Sequence, residues 1–351
     1  MTSLFDSLRI GAMAAPNRVV MAPMTRNRAT SAGVPTELMA KYYAQRASFG
    51  LIISEGVQPA AIGQGYPHTP GVHSDEHTAG WKRVAEAVHG AGGHIFLQLM
   101  HAGRISHADV IGTQPIAPSA VTPAGEIFTG TGTKPFEEPR AMTAHDLVSA
   151  RDSYVDAAKR AVAAGCDGVE LHAANGYLLN QFLADNSNQR TDQYGNSPEN
   201  RARFVIETVH AVVAAVGGEK VGIRISPNGT FNDMAETHIE ETYGALLSGI
   251  DSLGLAYLHV GEQPGFAGIK FARARWSGVL IGNTGYADSD KIGSAVSLVE
   301  SGGADAVSFG RLALANPDLP RRIKNGEAMH EPDSKTFYSG GALGYTDYPA
   351  L

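Results

Sequence analysis

Eight short apolar or β-branched runs, each followed by a longer stretch of helical periodicity, constrain this 351-residue chain more than any other feature. The runs span 19–24, 51–54, 94–99, 168–172, 221–225, 257–260, 279–283 and 306–309. Near-continuous apolar runs of this length suit strands buried on both faces, as in a parallel sheet covered by helices. Helices are expected over 35–48, 75–91, 143–164, 200–216, 239–252, 289–301 and 316–325. Their ends carry the right signals: Pro35 in a first turn, Ser74 as an N-cap, Gly165 after a last turn. The connection over 261–276 is the least clear.

Eight β/α units in succession predict a single (β/α)8 TIM barrel over residues 1–351. The rival is an open doubly wound sheet, whose first turn should carry G-x-G-x-x-G; residues 24–36 do not. Residues 102–142, rich in Gly, Pro and Thr, form the longest excursion, after the third strand. A loop of that length is usually functional or a lid.

With 43% hydrophobic residues the chain can bury a sizeable core. A net charge of −7 without blocks of like charge argues against nucleic acid or a membrane surface as partner. The single cysteine, Cys166, excludes an intramolecular disulfide, a Cys-based zinc site and a thiolate-held cluster. It reads as a small buried hydrophobe. His68, His73 and His77 supply no compact ligand set, so no metal is expected. Residues 1–20 carry charges and no long apolar run, which predicts no signal peptide, and the lone cysteine fits a reducing compartment; a cytoplasmic protein, monomer or homodimer, is expected.

Barrel sites gather at the C-terminal ends of the strands. There the chain places Pro23, Met24 and Thr25, then Glu55 and Gly56, Gln98, His172 with Asn175 and Tyr177, Arg224, Thr284 with Gly285, and Gly310 with Arg311. Loops after strands seven and eight often bind phosphate, and Arg311 offers a forked, permanently charged donor. The alternative is a tight turn at Gly310 and a surface ion pair for Arg311. Gln98 and Arg224 suit a planar imide such as a flavin pyrimidine; Arg224 could instead pair with Glu170. His172 and Asn175 can donate to one carbonyl oxygen and Tyr177 can supply a proton, although His-x-x-Asn alone is also a common structural pattern.

The run over 165–204, GCDGVELHAANGYLLNQFLADNSNQRTDQYGNSPENRARF, resembles the Old Yellow Enzyme family of FMN ene-reductases. APMTR at 22–26, QLMHAGRISH at 98–107, GIRISP at 222–227, FGR at 309–311 and GGALGYTDYP at 340–349 are similar too, in the family's order. The nearest resemblance is to the N-ethylmaleimide reductase, nitrate ester reductase and morphinone reductase branch. It implies an NADPH-dependent reductase of electrophilic alkenes, with tightly held FMN contacted by Pro23, Met24, Thr25, Gly56, Gln98, Arg224, Thr284, Gly285, Gly310 and Arg311. Thr25 would tune the flavin. His172 and Asn175 would anchor the substrate carbonyl, Tyr177 would protonate the α carbon, and Tyr66, Met100, Phe266 and Tyr338 would shape the pocket. Met100 stands where many relatives carry a large aromatic residue. The main rival is a flavin-free barrel enzyme acting on a phosphorylated substrate, which would need a lysine or carboxylate at the mouth.

Overall fold

The structure, a computed structural model, describes residues 2–285 and 290–351. Eight parallel strands close into a barrel in chain order: Val19–Met21, Leu51–Val57, Ile95–Leu99, Gly168–Ala173, Val221–Ile225, Tyr257–Gly261, Leu280–Asn283 and Ala306–Phe309. Phe309 of the last strand pairs with Met21 of the first, so the sheet has no free edge. All these strand residues except Asn283 are buried, which is why they read as continuous apolar runs.

Strand residues alternate between two sides. One set, with Val19, Ile52, Leu97, Val169 and Ile223, packs outward into the layer of helices. The other set fills the barrel. At its lower end Val20, Ile53, Phe96, Tyr257, Ile281 and Ala306 form a separate apolar cluster with Ile10, Met13 and Ala15 of an N-terminal hairpin. Gly168 and Gly222 make room for the rings: a Cβ there would lie 2.5 Å from Phe96 and 2.3 Å from Tyr257. Two residues further along the same strands, the inward positions become Gln98, Glu170, Arg224, His259, Asn283 and Ser308. The barrel is therefore apolar at its base and polar at its C-terminal end.

The first strand stops at Met21 rather than residue 24, after which Pro23 has no N–H for the ladder. The second runs on to Val57 through an irregularity between Ile53 and Gly56. The first helix starts at Glu37 because the Thr36 hydroxyl caps the Met39 N–H. The connection over 261–276 contains a short helix, Gly268–Arg273. The helix expected over 289–301 spans Lys291–Glu300, capped by Asp290; Ser289 lies outside the described residues. The stretch over 316–325 resolves into Leu319–Asn325, preceded by a separate helix, Arg311–Ala315. The excursion after strand three holds a short helix, Ala108–Ile111, and a hairpin of Glu126–Phe128 with Thr133–Pro135. No helix among the described residues is long and apolar enough to cross a membrane.

Candidate active site

A buried chain of hydrogen bonds crosses the barrel below its mouth. Gln98 Nε2 donates to Glu170 Oε1 at 2.8 Å, and Glu170 Oε2 meets His259 Nδ1 at 2.8 Å. His259 Nε2 reaches Ser308 Oγ at 2.8 Å, where Asn283 also donates. With both oxygens of Glu170 engaged in this way, the Arg224–Glu170 ion pair considered from sequence is not formed among the described residues. Arg224 is buried, pairs in register with His172 on the neighbouring strand, and has no protein partner for its Nε. A buried donor without a partner is costly, so this atom calls for an acceptor from outside the chain.

His172 stands on the fourth strand, and the chain turns sharply just beyond it. Asn175 and Gly176 both adopt left-handed conformations, with φ of 58° and 78°. Asparagine tolerates that region; at Gly176 a Cβ would also come within 2.6 Å of Asn232 Cβ. The turn is held from outside: the Asn175 N–H donates to Ser226 Oγ at 3.0 Å, and its carbonyl accepts from Asn232 Nδ2 at 2.8 Å. Its effect is to fold Tyr177 back over His172, ring centroids 5.1 Å apart. The Tyr177 hydroxyl lies 3.1 Å from that of Tyr66.

Burial, reinforced by the charge of Arg224 and then by His259, pushes the His172 imidazole well below the usual histidine range. It is therefore neutral near pH 7 and offers one N–H. Its buried Nδ1 has no protein partner. Burial, then the neighbouring Tyr66, holds the Tyr177 phenol well above the usual tyrosine range, so it carries its proton. These states suit a hydrogen-bond donor and an acid.

His172, Asn175 and Tyr177 line one cavity of about 450 Å³ together with Pro23, Met24, Thr25, Gln98, Met100, Gly310, Arg311 and Tyr338. A narrower cavity of about 70 Å³ shares Pro23, Met24, Gly310 and Arg311 with it and adds Arg224, Thr284, Gly285 and Lys291. Sequence reasoning missed Lys291, whose Nζ donates to the Gly285 carbonyl at 2.6 Å. Its only signal was a cation shortly after Thr284-Gly285. Arg46, also missed, fixes the helix that Arg311 begins, donating from Nε to Ala313 O at 3.0 Å and from Nη2 to Leu314 O at 2.7 Å. A further cavity of about 800 Å³ lies between helices Gly268–Arg273 and Lys291–Glu300; of the candidate residues Thr284 alone lines it.

Three of the residues expected at the site stand apart from both cavities. Gly56 sits behind Met100, where a Cβ would lie 2.6 Å from its sulfur. Tyr66 reaches the site through Tyr177. Phe266 packs on Phe271, ring centroids 5.4 Å apart. The loop bearing Thr25 rests on Glu55, which accepts from the Arg26 N–H at 3.1 Å and the Asn27 N–H at 3.3 Å. Burial pushes that carboxyl up to about 7, against the pull of these bonds and of the Arg26 charge. Cys166 is buried in the core and Trp81 donates to Gly71 O at 3.0 Å, both as structural residues. The loop over 186–196 is fixed from within, Asn188 donating to the carbonyls of Phe182 and Tyr194 at 2.7 Å.

Residues 3–330 match the model of the NADH:flavin oxidoreductase / NADH oxidase family. The chain belongs to this family. A probable flavin mononucleotide-dependent alkene reductase from Leishmania infantum is 43% identical over 99% of this chain and 97% of its own length. The old yellow enzyme homologue of Zymomonas mobilis superposes with a TM-score of 0.96 at 41% identity, covering 100% of both chains. Morphinone reductase in complex with tetrahydroNAD superposes at 0.94, with 45% identity over 100% of this chain and 98% of the other. Membership makes the protein an FMN-dependent oxidoreductase with the TIM-barrel fold. The residues present fit that cofactor. Arg311 and Lys291 bring two cations to the glycines after strands seven and eight, and the unpartnered Arg224 Nε, with Gln98, offers polar groups for a ring edge.

Proposed function

We propose that this flavin oxidoreductase uses His172, Asn175 and Tyr177 to reduce activated carbon–carbon double bonds at the expense of NAD(P)H. The observation that carries this reading is the convergence of a neutral His172, Asn175 and a protonated Tyr177 on one cavity beside Gln98. FMN, when bound, would supply the two-electron chemistry that links oxidation of NAD(P)H to hydride addition at the β carbon of the alkene. His172 and Asn175 each donate one hydrogen bond to the electron-withdrawing oxygen, stabilising the negative charge that grows there. Tyr177 then gives its proton to the α carbon. Met100 and Tyr338 bound the space beside the reacting carbons, and Thr25 faces the same cavity. Pro23, Met24, Thr284, Gly285, Gly310 and Arg311 hold the cofactor from the first, seventh and eighth loops, with Gly56 supporting Met100 from behind.

Residues 1–351 serve as one FMN-binding domain, because Arg26 and Arg28 of the first loop bond carbonyls over 336–344 and so tie the C-terminal segment to the mouth. The deciding experiment is direct. The purified protein should be yellow, bleach with NADPH and recover its colour on addition of N-ethylmaleimide or 2-cyclohexenone. A colourless protein that turns over a phosphorylated substrate would support the flavin-free alternative instead.

Two variants examine the assignments. Arg311→Ala should lose FMN on dilution, read as flavin in the ultrafiltrate, since Arg311 is the forked cation that the eighth loop brings to the glycines; full retention would remove Arg311 from the cofactor site. Tyr177→Phe should slow alkene reduction by roughly 10²-fold, the low end of what a positioned proton donor supplies. Flavin reduction by NADPH needs no such proton and should change little, and stopped-flow traces showing the opposite pattern would reject Tyr177 as the acid.

A further inference from the structure

Tyr177 has to recover a proton after every turnover, yet its surroundings offer few sources. Its side chain is only 7% exposed. The polar groups near it are the Tyr66 hydroxyl at 3.1 Å, the amide of Asn232, the His172 ring at 5.1 Å between centroids, and Tyr338, which lines the same cavity without a hydrogen bond to Tyr177 among the described residues. His172 is neutral and assigned to the substrate oxygen, and an amide is too weak an acid to give up a proton. Tyr66 differs from both. Its hydroxyl is in direct contact with that of Tyr177, its residue is less buried than Tyr177, and burial raises its phenol above the usual tyrosine range, so it holds a proton to pass on. Its position is also fixed from below: its carbonyl accepts from Gln64 Nε2 at 2.9 Å and from Thr69 Oγ1 at 2.8 Å. Met100, Ala102 and Ile105 pack with Tyr177 in one apolar cluster that Tyr66 joins, so the hydroxyl contact is a polar link between the two tyrosines within apolar surroundings.

We infer that Tyr66 is the proton relay that recharges Tyr177 from solvent during alkene reduction. The inference rests on Tyr177 being the acid. In the first step the Tyr177 O–H bond breaks and a C–H bond forms at the α carbon of the substrate, leaving a phenolate on Tyr177. In the second, the Tyr66 O–H bond breaks and the proton moves to the Tyr177 oxygen. Water then returns a proton to Tyr66. No electrons move in the second and third steps, and the net proton comes from solvent. The geometry assigns Tyr66 a role distinct from shaping the pocket, because the residue acts through Tyr177 and not on the substrate.

The test is Tyr66→Phe, which keeps the ring and removes the relayed proton, made in the FMN-loaded enzyme both alone and together with Tyr177→Phe. With NADPH and 2-cyclohexenone, Tyr66→Phe should lower kcat by about 10-fold, less than loss of the acid itself because water can partly substitute. KM for the enone should stay within about 2-fold, since uniform substrate binding is untouched. In mixtures of H2O and D2O, the dependence of kcat on deuterium fraction should change from curved to linear, as one of two moving protons is lost. In the Tyr177→Phe background the second substitution should add no further loss. Three results would overturn the relay: an unchanged kcat, a rise in KM that accounts for the whole effect, or an equal loss with and without Tyr177. If Tyr177→Phe alone turns over normally, the assignment of the acid fails and the relay falls with it. If Tyr177→Phe is impaired and Tyr66→Phe is not, the relay alone fails.

Discussion

His172→Ala is expected to lower enone turnover by roughly 10²–10³-fold while leaving the protein folded and yellow, by analogy with removal of one donor from an oxyanion site. The size follows from where the group acts. A neutral, buried imidazole costs no reorganisation as charge develops on the substrate oxygen, and its burial strengthens its hydrogen bond. Removing it leaves Asn175 as the remaining donor of the pair. Asn175 is held by Ser226 and Asn232 and should keep its position. The measurement is kcat with 2-cyclohexenone together with the flavin spectrum. An alanine variant with full enone activity and bound FMN would remove His172 from the anchoring role. His172→Asn should lie between the two, because an amide can still donate one hydrogen bond from a shorter reach.

Arg26→Ala should have the largest effect on stability, on the order of 3 kcal/mol, as expected when one partner of a buried charged network is deleted. The Arg26 guanidinium is 1% exposed and donates to the carbonyls of Phe337 at 2.9 Å and Gly344 at 2.8 Å, and to the Tyr42 hydroxyl at 3.2 Å. It also lies over the rings of Tyr42 and Tyr345, which stack 3.9 Å apart. Alanine would strand those acceptors and leave Glu55 without its nearest cation. Arg26→Lys should recover little, since an ammonium lacks the planar fork that reaches both carbonyls. Urea unfolding gives the stability change, and limited proteolysis gives its location. Cleavage should appear first between 336 and 346, the segment that carries Tyr338 to the mouth. A variant as resistant as the parent would mean that the C-terminal segment is held by other contacts.

The fold, and most of the residues that line the candidate site, could be read from the chain alone because they are local properties repeated eight times. An apolar run of four to six residues specifies a doubly buried strand, and inward parity then puts Gln98, Glu170, Arg224 and His259 on one side of the sheet. Glycines at 285 and 310 and the cation at 311 mark the proposed phosphate end in the same way, by what the backbone there must do. His172, Asn175 and Tyr177 form a pattern whose meaning the family resemblance supplied. What the chain alone did not reveal depends on residues that barrel closure brings together. Arg26 and Gly344 lie far apart in sequence yet share a hydrogen bond, and no periodicity encodes such a pair. The same holds for Tyr66 with Tyr177 and for Glu170 with His259, which replaced the ion pair that sequence suggested for Arg224. Side-chain spacing along a strand is set by the backbone repeat. Which buried polar groups satisfy one another is set by closure of the barrel, and only the tertiary structure decided it.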